Sequence, residues 1–421
     1  MNAPVTNLLP AKIADFYPKD LKPARKLTTR EEFLQAARDI VPDLRRNALK
    51  SIEGRQPACE NVRTLVKAGL IGISRPKKYG GAGLELSDQF DVGAILAEGD
   101  ANLAWDYIVW EVHSWLLGMI PEQGQDEVFG SSDLTICSGV FNPMRAKARA
   151  VEGGYMVSGM WNYGSGSTHC NWVFCAALVE GRVAPSGRPE NRLMVLPRAE
   201  IEVLDTWRMR GLRGTGSHDI AIPDEVFVPE HRTITRPTID TGDAPGAHLH
   251  DDSGTVAYRF PGTPGAHMAA AATSVGIARA AIDAFKEYMS NRVYLHGQKQ
   301  TDLAASFVRI GEAEIMVEAA QLLFRNTMRE IEDELRAGRQ PERLLRAKAR
   351  MVSAWVPGQA KKVVYSMLEG SGSGAMAETS LLSTYLADVT QMGSHISTQY
   401  DLGPENYGRV VMGLEPSNPL I

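Results

Sequence analysis

GGYMVSGMWNYGSGSTHCNWVFCAAL, residues 153–178, is the stretch that decides the fold. Apolar and aromatic residues recur there with period two, which predicts a strand carrying four of them on one face: Tyr155, Val157, Trp161 and Tyr163. A Gly- and Ser-rich run, residues 164–168, then breaks the pattern, and residues 172–178 resume as a second apolar strand. The sequence thus predicts two strands around a turn whose backbone N–H groups and hydroxyls can meet a ligand.

The chemical character of this stretch suits a flat ligand. An aromatic strand face beside a polar, glycine-rich turn suits a planar ring with hydrogen-bonding edges. An isoalloxazine is one such ring. The alternative interpretation is an ordinary buried hairpin that binds nothing.

Length and composition narrow the class of protein. The chain has 421 residues, which predicts two or three packed sub-domains rather than one core. Lys and Arg number 45 against 50 Asp and Glu, and this mildly acidic balance argues against nucleic acid or an anionic membrane as the main partner. We find neither an apolar run of spanning length nor a signal peptide. The cysteines lack CxxC spacing and indicate a reducing cytoplasm: Cys59, Cys137, Cys170 and Cys175.

Changes in periodicity along the chain predict five segments. Residues 1–28 form an extended, proline-containing arm, and residues 29–132 form an N-terminal α-helical domain. Residues 133–234 form a central β domain, and residues 235–262, with little periodicity, form a linker or a mobile flap. Residues 263–421 form a C-terminal helical bundle.

Local signals refine the helices. Thr28-Thr-Arg-Glu31 has the form of a capping box and predicts a helix start, and Pro42 predicts a kink or a division of that helix. Residues 86–119 are expected to be one aromatic-rich helical segment, and a last helix from Ser380 is expected to carry His395.

A family resemblance rests on residues 158–172. The string Ser158-Gly-Met-Trp-Asn-Tyr-Gly-Ser-Gly166, followed by His169-Cys-Asn-Trp172, resembles the flavin-edge strand and loop of the group D flavin-dependent monooxygenases. These proteins are oxygenase components of two-component systems, and the similarity runs in order from about residue 29 to the end of the chain. The resemblance implies an α+β, acyl-CoA dehydrogenase fold with an N-terminal helical domain, a central β-barrel or sandwich domain and a C-terminal four-helix bundle, assembled as a homotetramer.

The resemblance also implies the chemistry. Reduced flavin, FMNH2 or FADH2, would come from a separate NAD(P)H-dependent flavin reductase, since no NAD(P)H-binding motif is evident in this sequence. Residues 370–375 formally fit G-x-G-x-x-A, but no βαβ unit surrounds them. Reduced flavin would react with dioxygen to give a C4a-hydroperoxide, which hydroxylates a small, aromatic substrate.

Several residues match positions that contact flavin in that family. Ser165 matches the serine that bonds flavin N5, and Trp161 and Tyr163 would form a wall near the ring. Arg259 matches an arginine beside the flavin, where a fixed cation favours the anionic reduced form. Gly372, in a glycine-rich helix connection, would lie near the flavin tail.

Other residues match substrate and proton-transfer positions. His395 matches a histidine placed for proton transfer, because an imidazole titrates near neutral pH. His113, Ser138 and Trp105 would contact the substrate, although a core role explains a buried histidine or tryptophan on this helix equally well. His248 and His250 lack metal-ligand spacing, so we expect no metal site.

Two other functions stay open at this point. An acyl-CoA dehydrogenase needs a carboxylate base, and the last helices present Gly393-Ser-His395 where that family carries a glutamate, although Glu378 keeps the alternative open. A non-catalytic helical scaffold of the same fold is the third possibility.

Overall fold

The computed structural model describes residues 11–417 as a helical region, a strand region and a second helical region, in chain order. The first region comprises α1 (Arg30–Gly54), α2 (Cys59–Lys67), α3 (Leu86–Ala97), α4 (Ala101–Leu117) and α5 (Glu122–Gly130). The strands are β1 (Cys137–Val140), β2 (Ala146–Val151), β3 (Gly154–Gly164), β4 (Trp172–Val183), β5 (Pro189–Pro197), β6 (Glu202–Leu204), β7 (His218–Pro229) and β8 (Thr233–Thr235). After the short helix α6 (Arg236–Thr241) come α7 (Gly262–Asn291), α8 (Ala304–Arg336), α9 (Arg343–Ser371), α10 (Leu381–Gly393) and α11 (Leu402–Val411).

Helix α1 begins one residue later than the sequence predicts. Its N-cap is Thr29, whose hydroxyl accepts from the Glu32 N–H, and the Glu32 carboxylate accepts from the Thr29 N–H in return. The capping box is therefore Thr29 to Glu32 rather than Thr28 to Glu31. The helix also continues through Pro42, so the prediction that this proline divides it is wrong.

The aromatic-rich segment is two helices rather than one, because Asp100 starts a new one. Its side chain accepts from the backbone N–H groups of Asn102 and Leu103, as an N-cap does. The other carboxylate oxygen accepts from Ser51 and Asn61, which fixes α4 to α1 and α2.

The strands form one connected sheet in the order β6-β7-β3-β2-β4-β5-β8, and β1 pairs with β4 in parallel. Strand β2 lies between β3 and β4, so these two strands are not hydrogen-bonded neighbours. The Gly- and Ser-rich turn at 165–168 is thus a crossover between separated strands. The alternative of an ordinary hairpin is wrong.

The buried face of β3 ends earlier than period two predicts. Tyr155, Val157 and Trp161 are buried, whereas Tyr163 is 63% exposed. The pairing of β3 with β7 shifts register between Trp161 and Gly164, and Tyr163 has a left-handed φ of 72°. The prediction that all four residues share one face is wrong for Tyr163, because this irregularity turns its side chain away.

The linker at 235–262 is packed against the first helical region. The Trp115 indole donates to the Ala257 carbonyl at 2.7 Å, and the Tyr258 hydroxyl donates to the Ser74 carbonyl at 3.1 Å. Both Ala257 and Tyr258 are buried. These contacts tie the segment to the first helical region.

The second helical region packs around α7 and α9, which carry long buried faces. By length and composition α7 could cross a membrane, but 83% of its most apolar window is buried inside the protein. It is therefore a core helix of the bundle. At the other end of the chain, residues 11–28 run along the sheet, where Ile13 donates to Val203 O and Phe16 donates to Thr168 O.

Candidate active site

Trp105 links the two residues on which the sequence analysis placed the chemistry. Its indole N–H donates to the Ser165 hydroxyl at 3.1 Å. Its ring meets the His395 ring edge-on, with 5.5 Å between centroids. Since Ser165 follows β3 and His395 follows α10, this contact brings the helical layers and the sheet layer together at one cluster.

The turn that carries Ser165 is held from several sides. Gly166 adopts φ of 69°, and an added Cβ there would lie 2.3 Å from the Trp110 indole nitrogen. That same nitrogen donates to the Gly166 carbonyl at 3.2 Å, and the Ser138 hydroxyl donates to the Ser165 carbonyl at 2.7 Å. Because of this positive φ and close contact, only glycine fits at position 166. Through its bond to the Ser165 carbonyl, the Ser138 hydroxyl helps to position the turn, a role that the sequence did not suggest.

Two hydroxyls missed by the sequence analysis continue from Ser165. Ser217 Oγ lies 2.7 Å from Ser165 Oγ, and Thr215 Oγ1 lies 2.6 Å from Ser217 Oγ. Thr215 also contacts the Leu212 carbonyl at 2.9 Å. We call Ser165, Ser217 and Thr215 the hydroxyl chain. Ser217 and Thr215 lie in the glycine-rich loop before β7, where the sequence shows only a turn.

His395 lies in the turn after α10, not on the helix itself, because α10 ends at Gly393. His395 is exposed to solvent as a residue, although its ring stands against Trp105 and has many protein atoms nearby. Burial and then the charge of Arg350 lower the pKa of His395 to about 4. The Ser397 N–H donates to His395 Nδ1 at 3.2 Å, so the neutral imidazole carries its proton on Nε2.

Arg350 fixes the His395 turn and was not found from the sequence. This fully buried guanidinium donates to the carbonyls of Ser397 at 2.5 Å and Ile396 at 2.9 Å. No carboxylate pairs with Arg350 in the described part of the chain, so its positive charge next to the His395 turn is not neutralised by an ion pair. Burial lowers its own pKa to about 10. Burial and Arg350 also lower the pKa of His267 well below its usual range.

His113 is buried in an aromatic setting beside β1. Its Nδ1 lies 2.6 Å from the Val109 carbonyl, which can only accept, so the ring proton is on Nδ1. Nε2 is then a bare acceptor, and it is buried without a partner among the residues that the structure describes. The ring lies 5.0 Å from Phe141 and 5.9 Å from Phe174 by centroid. Burial lowers the pKa of His113 to about 4, so the neutral form is present at pH 7.

The two residues expected to form a wall near the ring point in different directions. Trp161 is fully buried and donates from its indole to the Ala176 carbonyl at 2.7 Å. Its ring is therefore held inside the sheet region, and its expected place in the wall near the flavin ring stays a prediction. Tyr163 is exposed and contacts the Trp207 ring edge-on at 5.9 Å.

Arg259 and Gly372 do not contact the cluster around Trp105. The Arg259 guanidinium pairs with both Asp251 oxygens, at 2.9 and 2.6 Å, and with His248. Its charge is therefore already matched within the chain. Gly372 follows α9 with φ of 76°, and an added Cβ there would lie 2.5 Å from the Arg292 guanidinium. Neither placement tests the flavin roles expected for these residues.

In the part of the chain that the structure describes, no carboxylate hydrogen-bonds to Trp105, Ser165 or His395. Glu378, the base that an acyl-CoA dehydrogenase reaction could use, is exposed in the loop before α10. Across residues 11–417 no group of three metal-ligating side chains occurs. The polar atoms that meet at Trp105 are a hydroxyl and an imidazole, which suits hydrogen bonding to a planar, polar-edged ring.

Comparison with known proteins agrees with this architecture. Residues 28–128 match the acyl-CoA dehydrogenase N-terminal domain, and residues 268–400 match the acyl-CoA dehydrogenase C-terminal domain. The oxygenase subunit HsaA of a flavin-dependent monooxygenase from Mycobacterium tuberculosis is 30% identical over 397 residues, covering 93% of this chain and 98% of that protein. The oxygenase component of an FADH2-dependent resorcinol hydroxylase from Rhizobium sp. is 28% identical over 389 residues, covering 89% and 93%.

A solved structure gives the same result. The crystal structure of the HsaA monooxygenase from M. tuberculosis superposes with a TM-score of 0.85 and 27% identity, covering 94% of this chain and all of that one. Fold and site thus define a protein of the acyl-CoA dehydrogenase fold, and the predicted α+β class is confirmed. Within that class, the chain belongs to the family of flavin-dependent monooxygenase oxygenase subunits.

Proposed function

We propose that this protein is the oxygenase component of a two-component system that hydroxylates a small aromatic substrate with reduced flavin and dioxygen. The observation that carries the proposal is the placement of Ser165 and His395 on one indole, that of Trp105. A flavin-edge hydroxyl and a proton-transferring imidazole must act on neighbouring atoms, and the shared contact with Trp105 supports these roles for Ser165 and His395.

The residues of the cluster fit a flavin ring. Reduced flavin, when bound as FMNH2 or FADH2, supplies the chemistry that activates dioxygen. Ser165 would hold the ring edge, with Trp105 fixing the hydroxyl. The buried indoles and the turn around Gly166 would exclude water from that edge.

The two histidines differ in where the neutral ring holds its proton. His395 carries an N–H at Nε2, whereas the bare Nε2 of His113 is buried close to Gly139 of β1. The resorcinol hydroxylase among the relatives is named for a phenolic substrate, and this supports a phenolic ring as the substrate class. Ser138 would act on the substrate only indirectly, through the Ser165 turn.

A separate NAD(P)H-dependent flavin reductase completes the system. The glycine-rich run at 370–375 follows helix α9 rather than a strand, so it does not have the setting of a dinucleotide fingerprint. Electrons would therefore arrive on flavin that another protein has reduced. All four cysteines are free, in keeping with a cytoplasmic location.

A homotetramer is the proposed assembly. Exposed apolar residues recur on α8 every seven positions, at Val308, Ile315 and Leu322. Such a stripe suits packing against a second copy of the chain. Light scattering on the purified protein tests the assembly, and Ile315→Glu should lower its mass.

The function is tested by supplying FMNH2 or FADH2 and air and screening phenols by mass for the gain of one oxygen atom. Product from at least one phenol is expected. An acyl-CoA with an artificial electron acceptor serves as the matched assay for the dehydrogenase alternative. We expect no turnover there, because within residues 11–417 no carboxylate hydrogen-bonds to Trp105, Ser165 or His395. Dehydrogenase turnover without phenol oxygenation would reject the proposal.

A further inference from the structure

The hydrogen bonds of the hydroxyl chain all run in one direction, because each hydroxyl has one proton to donate. The Leu212 carbonyl can only accept, so Thr215 must donate to it at 2.9 Å. With its proton committed, Thr215 can only accept at its 2.6 Å contact, so Ser217 donates to Thr215. Ser217 in turn must accept at 2.7 Å, so Ser165 donates to Ser217.

Ser165 is left as an acceptor. Its only proton goes to Ser217, and one of its two lone pairs accepts the Trp105 indole N–H at 3.1 Å. Among the described residues nothing donates to its second lone pair, and Ser165 keeps 8% of its surface exposed. A ligand atom that meets this hydroxyl must therefore bring a hydrogen.

Leu212, at the end of the hydroxyl chain, is held firmly enough to keep this direction of donation. Leu212 adopts φ of 50°, and its carbonyl also accepts from the Trp207 indole at 2.8 Å. Its N–H donates to the Asp388 carboxyl at 2.6 Å. Ser217 and Thr215 are buried, so water does not compete for their hydroxyls.

We infer that the hydroxyl chain makes this site select reduced over oxidised flavin. The nitrogen N5 carries a hydrogen in reduced flavin and only a lone pair in oxidised flavin. A donor-less Ser165 bonds the first and repels the second. Ser217 and Thr215 are thus positioning residues that set the polarity of Ser165. This inference rests on the proposed function, in which Ser165 meets the flavin edge.

The test is anaerobic titration of the protein with FMN and FMNH2, read by tryptophan fluorescence. The parent is expected to bind FMNH2 more tightly. Ser217→Ala frees the Ser165 proton, and Thr215→Val lets Ser217 donate toward Ser165 instead. Both variants should lower the ratio of the oxidised to the reduced dissociation constant by about five- to tenfold, the worth of one hydrogen bond. Thr215→Ser keeps the hydroxyl and should keep the ratio.

A second measurement needs only the parent protein. In 5-deaza-FMN a carbon replaces N5. The protein's preference for the reduced over the oxidised form should therefore be about tenfold smaller with 5-deaza-FMN than with FMN. An equal preference for reduced FMN and reduced 5-deaza-FMN, or unchanged ratios in Ser217→Ala and Thr215→Val, would overturn the inference. A parent that binds neither form of FMN or FAD would instead contradict the proposed function.

Discussion

The Leu212 N–H donates to the Asp388 carboxyl at 2.6 Å, and this bond ties helix α10 to the loop before β7. The helix leads into the His395 turn, and the loop carries the two hydroxyls that continue from Ser165. One buried contact therefore aligns both halves of the candidate site. The loop depends on it, because a buried N–H without a partner costs free energy.

Asp388 gives a pH prediction. Burial raises its pKa to about 7, so the folded protein holds a proton that the unfolded chain releases above about pH 4. Stability should therefore fall as pH rises from about 4 to 7. Asp388→Asn keeps an acceptor for Leu212 and lacks this titration, so it should be more stable than the parent at pH 8 by about 1–3 kcal/mol. Urea unfolding at pH 5 and 8 measures the difference, and parallel pH curves for the two proteins would contradict it.

Ser165→Ala removes the hydroxyl that Trp105 and Ser217 hold. In its proposed role Ser165 bonds the flavin edge, so the variant should lose this hydrogen bond, and we expect several-fold more hydrogen peroxide per flavin oxidised, with less product. Peroxide and product assays on the same sample give the ratio. Ser158→Ala is the matched control, because Ser158 lies on β3, the strand that leads into the Ser165 turn, and its hydroxyl makes no hydrogen bond among the described residues. Equal coupling in the Ser165 variant and the parent would remove Ser165 from the mechanism.

His395→Asn removes the imidazole N–H while offering an oxygen where Nδ1 accepts from Ser397. Flavin should still bind, but product per flavin oxidised should fall by about tenfold or more, because the proton transfer that we propose for His395 is lost. Coupling is measured with a phenol that the parent hydroxylates. Undiminished coupling would exclude His395 as the proton-transferring group.

Arg350→Met should raise the pKa of His395, because the nearby buried charge helps to lower it. Arg350→Lys keeps the charge and should leave the pKa lower than in the Met variant. Titration of the His395 ring signals by NMR between pH 3 and 8 reads both values. The same pKa in the Met and Lys variants would show that Arg350 acts on the turn only through its hydrogen bonds.

Gly166→Ala should be more destabilising than its backbone angle alone explains. Gly166 and Gly181 share φ of 69°, but only at Gly166 would a Cβ meet other atoms. The control Gly181→Ala should cost about 1 kcal/mol, and Gly166→Ala should cost about 2 kcal/mol more through its clash with Trp110. Thermal unfolding compares them, and equal melting temperatures would contradict the close contact at Trp110.

Local sequence patterns predicted the elements but not every orientation. Period two placed Tyr155, Val157 and Trp161 in the core, and it failed at Tyr163, where the register shift of β3 leaves no trace in apolar spacing. The long apolar segment 86–119 hid the break at Asp100, since its residues are apolar on both sides of the break.

Residues of the candidate site were predictable where they belong to a recognisable sequence motif. Ser165 and His395 stand in strings that resemble a family, and the structure brings both to Trp105. Ser217 lies 52 positions from Ser165 in the chain, so only folding reveals their contact. Arg350 is one of many arginines on amphipathic helices, and nothing in its neighbours marks it as buried.

The residues that meet at Trp105 come from separate segments of the chain, so a chimera made with a relative could separate them. Ser165, Ser217 and Thr215 all lie within residues 165–217, inside the strand region and its loops, whereas Trp105 belongs to α4. A chimera that receives this strand region from another relative would import a complete set of hydroxyls with their direction intact. It would still need an indole at the position of Trp105, so crossover points for recombination should keep α4 with its own sheet.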